Sequence, residues 1–319
     1  MSVKSEEITG KPTHTAEPAV ALLRNLIDYA GLFPPAALGM PSAVANYGAY
    51  LRSEFSWMLD RFIVPAVRLG EFEDSLAQLP ELHGRASERY QRWDLSVLLG
   101  ADVSGDLARL RDYQSRFAVV HSPTETRIES VEVKITTPED VTRISAMIPE
   151  ELEAYFEIPL SSDIRPCVAA VASRGRGAKI RTGGETADKF PTPEKVIEFM
   201  ALCADASVPF KATAGLHHPL RSVHRLTYQP DSPSGLMHGF LNVFLAAAFV
   251  RGGMERALAA ELLEERNANA FHFDSDGIRW RDHQLTQRDI AGTRQNFAIS
   301  FGSCSFMEPT DDLRALHLL

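Results

Sequence analysis

Two lysines, Lys179 and Lys211, each close a short β-like run and are followed by small residues and glycine. The runs read GAKIRTGG and PFKATAGLHHP, and the lysines stand 211 − 179 = 32 positions apart. That interval fits one strand–helix–strand repeat, so both ammonium groups are expected at the same end of a parallel sheet, on adjacent strands. Adjacent ammonium groups disfavour each other's charged form, and burial acts in the same direction, so one amine is expected to be neutral near pH 7. A neutral, buried lysine amine is the nucleophile that makes a Schiff base with a carbonyl compound. A single lysine at a strand end would read as an ordinary surface residue. The matched pair is what points to chemistry.

The elements that must position this pair form a regular series. Seven β-like runs lie at Asn25–Phe33, Arg61–Leu69, Trp93–Gly100, Ser130–Ile135, Glu153–Leu160, Gly177–Gly184 and Pro209–Gly215, with amphipathic stretches between them. A helix is expected over Ala43–Leu59, and two others open Thr-Pro-Glu, at Thr137 and Thr192, with proline in the first turn. An eighth strand, within QNFAISFGSCSF (Gln295–Phe306), closes the series, and a last helix is expected from Asp311 and Asp312. The pattern predicts an α/β fold, a TIM (β/α)8 barrel, occupying residues 19–319 as one domain behind a polar lead-in of residues 1–18. Between the seventh and eighth runs lies an insert at about 216–295, far longer than an ordinary connection. It holds a histidine-containing loop, the apolar helix Phe240–Val250, a helix at Met254–Ala268 and a hairpin turning at Asp276–Gly277. Barrel chemistry sits at the C-terminal ends of the strands, so the insert is expected to cover the mouth. An arm for homo-oligomer formation is its other use.

Composition bounds the partners. The 319 residues are 45% hydrophobic and 24% charged, as in ordinary globular chains. A formal charge of −9 argues against a nucleic-acid or anionic-membrane surface, and the longest apolar run is too short to span a bilayer. The three cysteines, Cys167, Cys203 and Cys304, are far apart without CxxC spacing, so reduced thiols and a cytoplasmic setting are expected.

Period-two alternation places Glu132 with Lys134, Lys179 with Arg181, and Lys211 with Thr213, each pair on one strand face. Hydrocarbon fills the middle layers of most barrels, so these side chains point inward near the mouth or outward against helices. Outward, several charges would be buried on helix faces; inward is the better solution. Asp28 in LIDYAG and Glu157 in YFEIPL reach the same mouth.

On these residues the chain resembles the deoxyribose-phosphate aldolase family, class I aldolases on a TIM barrel. The strand-six lysine with its Thr/Ser turn and glycine is similar to Lys179, Thr182 and Gly183. The strand-seven Phe-Lys segment ending in glycines is similar to Phe210, Lys211, Ala214 and Gly215. Val131-Glu132-Val133 resembles a Val-Asp-Val pattern, Leu26-Ile27-Asp28 a Leu-Met-Asp one, and Phe301-Gly302-Ser303-Cys304-Ser305 the final Phe-Gly-x-Ser-Ser. The resemblance implies Lys179 as the Schiff-base lysine and Lys211 as the neighbour that depresses its pKa. It also implies Glu132 and Asp28 as proton carriers, with substrate contacts from Thr182, Gly183, Thr213, Gly215, Gly302, Ser303 and Ser305. Arg181 stands where the family has a small polar residue; it is suited to a carboxylate or phosphate on a different small-molecule substrate. No cofactor is called for.

Two rival classes remain. His217, His218 and His224 share one loop after Lys211, and His238 follows, so a divalent-metal-dependent barrel enzyme is the alternative. The spacing matches no tight metal motif, and no metal ligand is assigned. His217 is placed instead among the substrate contacts under the lid. A non-catalytic ligand-binding barrel is the third reading.

Overall fold

The computed structural model describes residues 16–79, 91–117 and 124–319. Helix α1 (Glu17–Leu23) leads into β1 (Ile27–Tyr29), and strand and helix then alternate. In order come α2 (Met40–Tyr50), β2 (Leu59–Pro65), α3 (Leu69–Ala77), β3 (Gln91–Leu99), α4 (Val103–Phe117) and β4 (Thr124–Lys134). The series continues with α5 (Pro138–Ser145), β5 (Glu153–Glu157), α6 (Arg165–Ser173), β6 (Gly177–Arg181), α7 (Pro193–Asp205) and β7 (Phe210–Thr213). After β7 come the hairpin β8 (Ser222–Arg225) and β9 (Ser234–Met237), then α8 (Phe240–Arg251) and α9 (Arg256–Glu264). A three-stranded sheet of β10 (Phe271–Asp274), β11 (Gly277–Trp280) and β12 (His283–Leu285) follows, then α10 (Gln287–Asn296), β13 (Ala298–Ser303) and α11 (Met307–Ala315). Strands β1–β7 and β13 form a closed parallel barrel, with β13 paired to both β7 and β1. The fold is a TIM (β/α)8 barrel with a long insert between its last two strands.

Local sequence explains most element ends. Thr137 caps α5 reciprocally with Asp140, behind Pro138 in the first turn, and Thr286 caps α10 the same way with Asp289. Helix α2 stops at Tyr50, well short of the expected Leu59. Ser53 there donates to the Tyr50 carbonyl, and a 3₁₀ turn at Ser56–Met58 follows. The final helix starts at Met307, four residues earlier than expected, and the second insert helix is shorter, Arg256–Glu264. The histidine-containing loop of the insert contains the β8–β9 hairpin, whose short strands carry no strong alternation in the sequence. Of the 1–18 lead-in, Glu17 and Pro18 already belong to α1, and residues 1–15 lie outside the described residues.

The insert is divided between two sides of the barrel. Its β8–β9 hairpin stays at the C-terminal end, beside the 3₁₀ turn Ala187–Lys189 that follows β6. Helix α8 is buried all round: Phe240 and Phe244 pack on Phe301 of β13, and α7, α9 and α10 enclose the rest. It occupies the wall position that the helix after β7 takes in any such barrel. The β10–β12 sheet packs near α1, which enters the barrel from its N-terminal end. Thus residues 216–239 are the part of the insert placed at the mouth.

Hydrocarbon packs between the sheet and its helices. One cluster joins Tyr47 of α2, Phe62 of β2, Phe72 of α3 and Trp93 of β3, with neighbouring ring centroids 4.9–6.0 Å apart. The three cysteines are free and buried. No helix among the described residues is long and apolar enough to cross a membrane.

Candidate active site at the barrel's C-terminal end

Alternation along the barrel strands turns an unusual set of side chains inward: Asp28 of β1, Ser96 of β3, Ser130 and Glu132 of β4, Glu157 of β5, Lys179 of β6, Lys211 of β7 and Ser300 of β13. Lys211 of β7 meets Asp28 of β1 and Glu132 of β4, and Lys179 of β6 meets Glu132, so these contacts cross the barrel between strands that are not neighbours. Lys211 and Lys179 are register partners on β7 and β6, as the 32-residue interval requires. Lys211 Nζ lies 2.7 Å from Glu132 Oε1 and 2.8 Å from Asp28 Oδ2. Lys179 Nζ lies 2.6 Å from Glu132 Oε2 and 3.2 Å from Glu157 Oε2. Glu132 therefore stands between the two lysines, one oxygen to each.

That arrangement changes the electrostatics expected of a bare lysine pair. Burial alone would lower the pKa of Lys211, but the Asp28 and Glu132 carboxylates outweigh it and hold the amine well above its ordinary value. Burial likewise would raise Glu132, and the two ammonium groups outweigh it and hold the carboxyl far below its usual range. Glu157 is lowered in the same way, against burial, by Lys179 and Arg181. Lys179, Lys211 and Arg181 thus face the carboxyl groups of Asp28, Glu132 and Glu157. With Glu132 interposed, the repulsion expected of a bare lysine pair is offset and Lys211 is a fixed cation.

The remaining expected residues divide by what they touch. Arg181 donates from Nε to Glu157 Oε1 at 3.2 Å, and its side chain is 41% exposed toward the mouth. No further partner contacts its terminal nitrogens among the described residues. Thr182 is buried and gives its hydroxyl proton to the Ala214 carbonyl, 2.7 Å away, which locks the turns after β6 and β7 together. Those turns meet at Gly183 and Gly215, where a Cβ on either would come within 2.8 Å of the other's Cα. Ala214 and Gly215 both have positive φ there. Thr213 and Gly302 are register partners at the ends of β7 and β13. Ser303 spends its hydroxyl on the Ser305 carbonyl, and Ser305 Oγ accepts from the Glu308 amide at the start of α11.

His217 is buried at the rim, with Nδ1 3.1 Å from Glu308 Oε2, and Tyr228 donates to the same oxygen at 2.9 Å. His218 Nδ1 lies 2.6 Å from Asp312 Oδ2, and its ring stacks on that of His224. His238 is set apart, between Arg221 and the Pro191 carbonyl. These histidines tie the 216–239 segment to α11 and the β6–α7 loop. Among the described residues, no group of three or more His, Cys, Asp or Glu is placed to hold a metal ion.

Compared with known proteins, the chain matches no family model and no curated protein. The site itself must therefore carry any functional reading.

Several participants had no signal in the sequence. Ser96 donates to Glu132 Oε1 at 2.9 Å, Ser130 donates to Ser96 at 2.8 Å, and Ser300 donates to Asp28 Oδ2 at 2.6 Å. Below them Arg61 crosses the barrel to Glu153 at 2.9 Å, and its amide donates to Asp28 Oδ1. Arg294 closes the N-terminal end. Its guanidinium donates to the carbonyls of Leu22, Arg24, Asn25, Ala298 and Ile299, and burial brings its pKa down to about 10. Alternation alone selects the inward position of the serines, but nothing distinguishes a hydrogen-bonding buried serine from a filler.

Asp60 at the start of β2 is the site's one ill-matched carboxyl. Burial and the nearby Asp28 push its pKa up to about 7, although Arg61 and Lys211 pull the other way. A folded pKa above the unfolded one means the native state is penalised for the charged form. That penalty is absent below about pH 4 and complete above pH 7. Asp60→Asn should accordingly raise stability by on the order of 2–4 kcal/mol at pH 8 and by little at pH 4. Thermal midpoints of both proteins across that range check it, and an equal gain at both ends would contradict it.

Proposed function

We propose that this chain is a Schiff-base-forming lyase, similar in chemistry to class I aldolases, acting on a small carbonyl compound through Lys179. One observation carries the reading: Lys179 Nζ sits at the C-terminal end of β6 within 2.6 Å of a carboxylate that a second, fixed ammonium also holds. Attack on a carbonyl carbon needs the free amine, and Glu132 Oε2 is the acceptor within reach of its proton. The iminium that forms carries the same positive charge as the ammonium it replaces. The three carboxylates that balance the resting cluster balance that iminium too, which is stabilisation prepared before the reaction starts. Lys211, held by Asp28, keeps Glu132 acidic, so Glu132 returns its proton readily when the carbinolamine hydroxyl leaves as water. With an iminium at Nζ as electron sink, a carbon–carbon bond one carbon away can break.

Borohydride reduction of the chain with small aldehydes and ketones, read by intact mass, tests the reading. A panel in which no carbonyl compound gives an adduct on Lys179 would end it.

Arg181 bears on the substrate. Its Nε is occupied by Glu157 while its outer edge faces the mouth, so a carboxylate or phosphate on the carbonyl compound has a forked partner there. Arg181→Met should raise KM for an anionic substrate by roughly tenfold or more, the range of one lost charged hydrogen bond, and leave a neutral analogue nearly unchanged. Equal losses for both would make Arg181 a strut for Glu157.

A further inference from the structure

We propose that Ser96 is a positioning residue: its hydroxyl orients Glu132 so that Oε1 serves Lys211 and Oε2 alone exchanges protons with Lys179. The inference rests on the Schiff-base reading and adds a residue and an oxygen to it. Oε1 already accepts two hydrogen bonds, from Ser96 at 2.9 Å and Lys211 at 2.7 Å; Oε2 accepts one, from Lys179 at 2.6 Å. An oxygen with fewer donors is the more basic of the pair, so a proton arriving at Glu132 goes to Oε2. The direction of the Ser96 hydroxyl is itself determined. Ser130 gives its proton to Ser96 at 2.8 Å, which fills an acceptor position on Ser96 and leaves the Ser96 proton for Glu132. All three side chains are buried, so no water competes for these bonds.

The proton balance is closed. The Lys179 N–H bond breaks as Oε2–H forms, the free amine adds to the carbonyl carbon, and a second proton passes from the nitrogen to the former carbonyl oxygen, giving the neutral carbinolamine. Oε2–H then gives its proton to the carbinolamine hydroxyl, the C–O bond breaks, and water leaves. Glu132 is an anion again, with Lys179 now an iminium. Oε1 keeps its two donors throughout, so the carboxylate does not rotate between the two transfers.

The test is the rate of borohydride-dependent labelling of Lys179, with glyoxylate and acetaldehyde as probes, followed from pH 6 to 10. Without its Ser96 donor the Glu132 anion grips the Lys179 ammonium more tightly. Ser96→Ala is therefore expected to move the midpoint of the labelling profile upward by roughly half to one pH unit, with the high-pH plateau kept within about twofold. Ser130→Ala removes the same atom one step further out and should move it by less than half as much. Ser96→Thr retains the donor and should restore the wild-type profile. Should the alanine variant fail to fold, Ser96→Cys, nearly the same size but a weak donor, reads the same shift. Coincident profiles for wild type and the alanine or cysteine variant, or equal shifts at Ser96 and Ser130, would overturn the inference. No labelling of the wild-type chain with either probe at any pH would instead remove the Schiff-base reading, and this inference with it.

Discussion

Lys179→Ala is expected to reduce borohydride-dependent labelling to the background given by surface lysines. In the wild-type chain the adduct should add the mass of the carbonyl compound less one oxygen, on a peptide containing Lys179. The variant tests chemistry because its structural cost is small. Glu132 keeps Lys211 and Ser96 as partners, and Glu157 keeps Arg181, so no buried carboxylate is stranded. The thermal midpoint should consequently stay within a few degrees of wild type, on the order of 1 kcal/mol for so long a chain. Equal labelling of both proteins would locate the reactive amine elsewhere and withdraw the reading. A variant that lost labelling by unfolding would be recognised by its circular dichroism.

Lys211→Leu should do the opposite, damaging stability first. It strips wholly buried Asp28 of the cation it contacts at 2.8 Å, while Glu132 keeps Lys179. Removing one partner of a buried ion pair costs about 3–5 kcal/mol, because the charge left behind is uncompensated. The pH dependence follows from two opposite shifts. Glu132 has a folded pKa below its unfolded one, so its contribution is present above about pH 4.5 and is lost as pH falls through the folded value. Lys211 has a folded pKa above its unfolded one, so its contribution is full below about pH 10 and is lost as pH rises through the folded value. The gap between wild type and Lys211→Leu should thus be widest from about pH 5 to 10 and narrow toward acid, where the variant's carboxylates take protons. Urea midpoints at pH 4 and pH 8 measure it. A gap that grew toward acid would mean that Lys211 is not what neutralises these carboxylates.

The fold was legible because its signals are local and repeated: eight β-like runs, helix openings at Thr137 and Thr192, and a 32-residue interval between two lysines. Glu132 and Asp28 were visible by alternation and by resemblance. What sequence could not supply was the pairing. Like charges at Lys179 and Lys211 suggested repulsion, but which oxygen of Glu132 reaches which lysine depends on Ser96 and Ser130, residues whose types fit any strand. Arg61 and Arg294 were equally silent, since an arginine at a strand start or in an amphipathic helix reads as a surface residue. The apolar run Phe240–Val250 announced a buried helix, yet its place in the barrel wall is set by β13, which lies about 50 residues later in the chain. Distance along the sequence hid that contact.

The ionic filling of the barrel also bears on how the protein answers to temperature. Apolar surface raises the heat capacity when it meets water, whereas polar surface lowers it. A channel occupied by Asp28, Glu132, Lys179, Lys211, Ser96 and Ser300 offers water mainly the second kind, so it subtracts from the heat-capacity increment that the outer apolar layer supplies. The desolvation penalty borne by such charges also falls on warming, because the entropy of ion hydration is strongly negative. Both effects broaden the dome of stability against temperature relative to a barrel of equal length lined with leucine and valine.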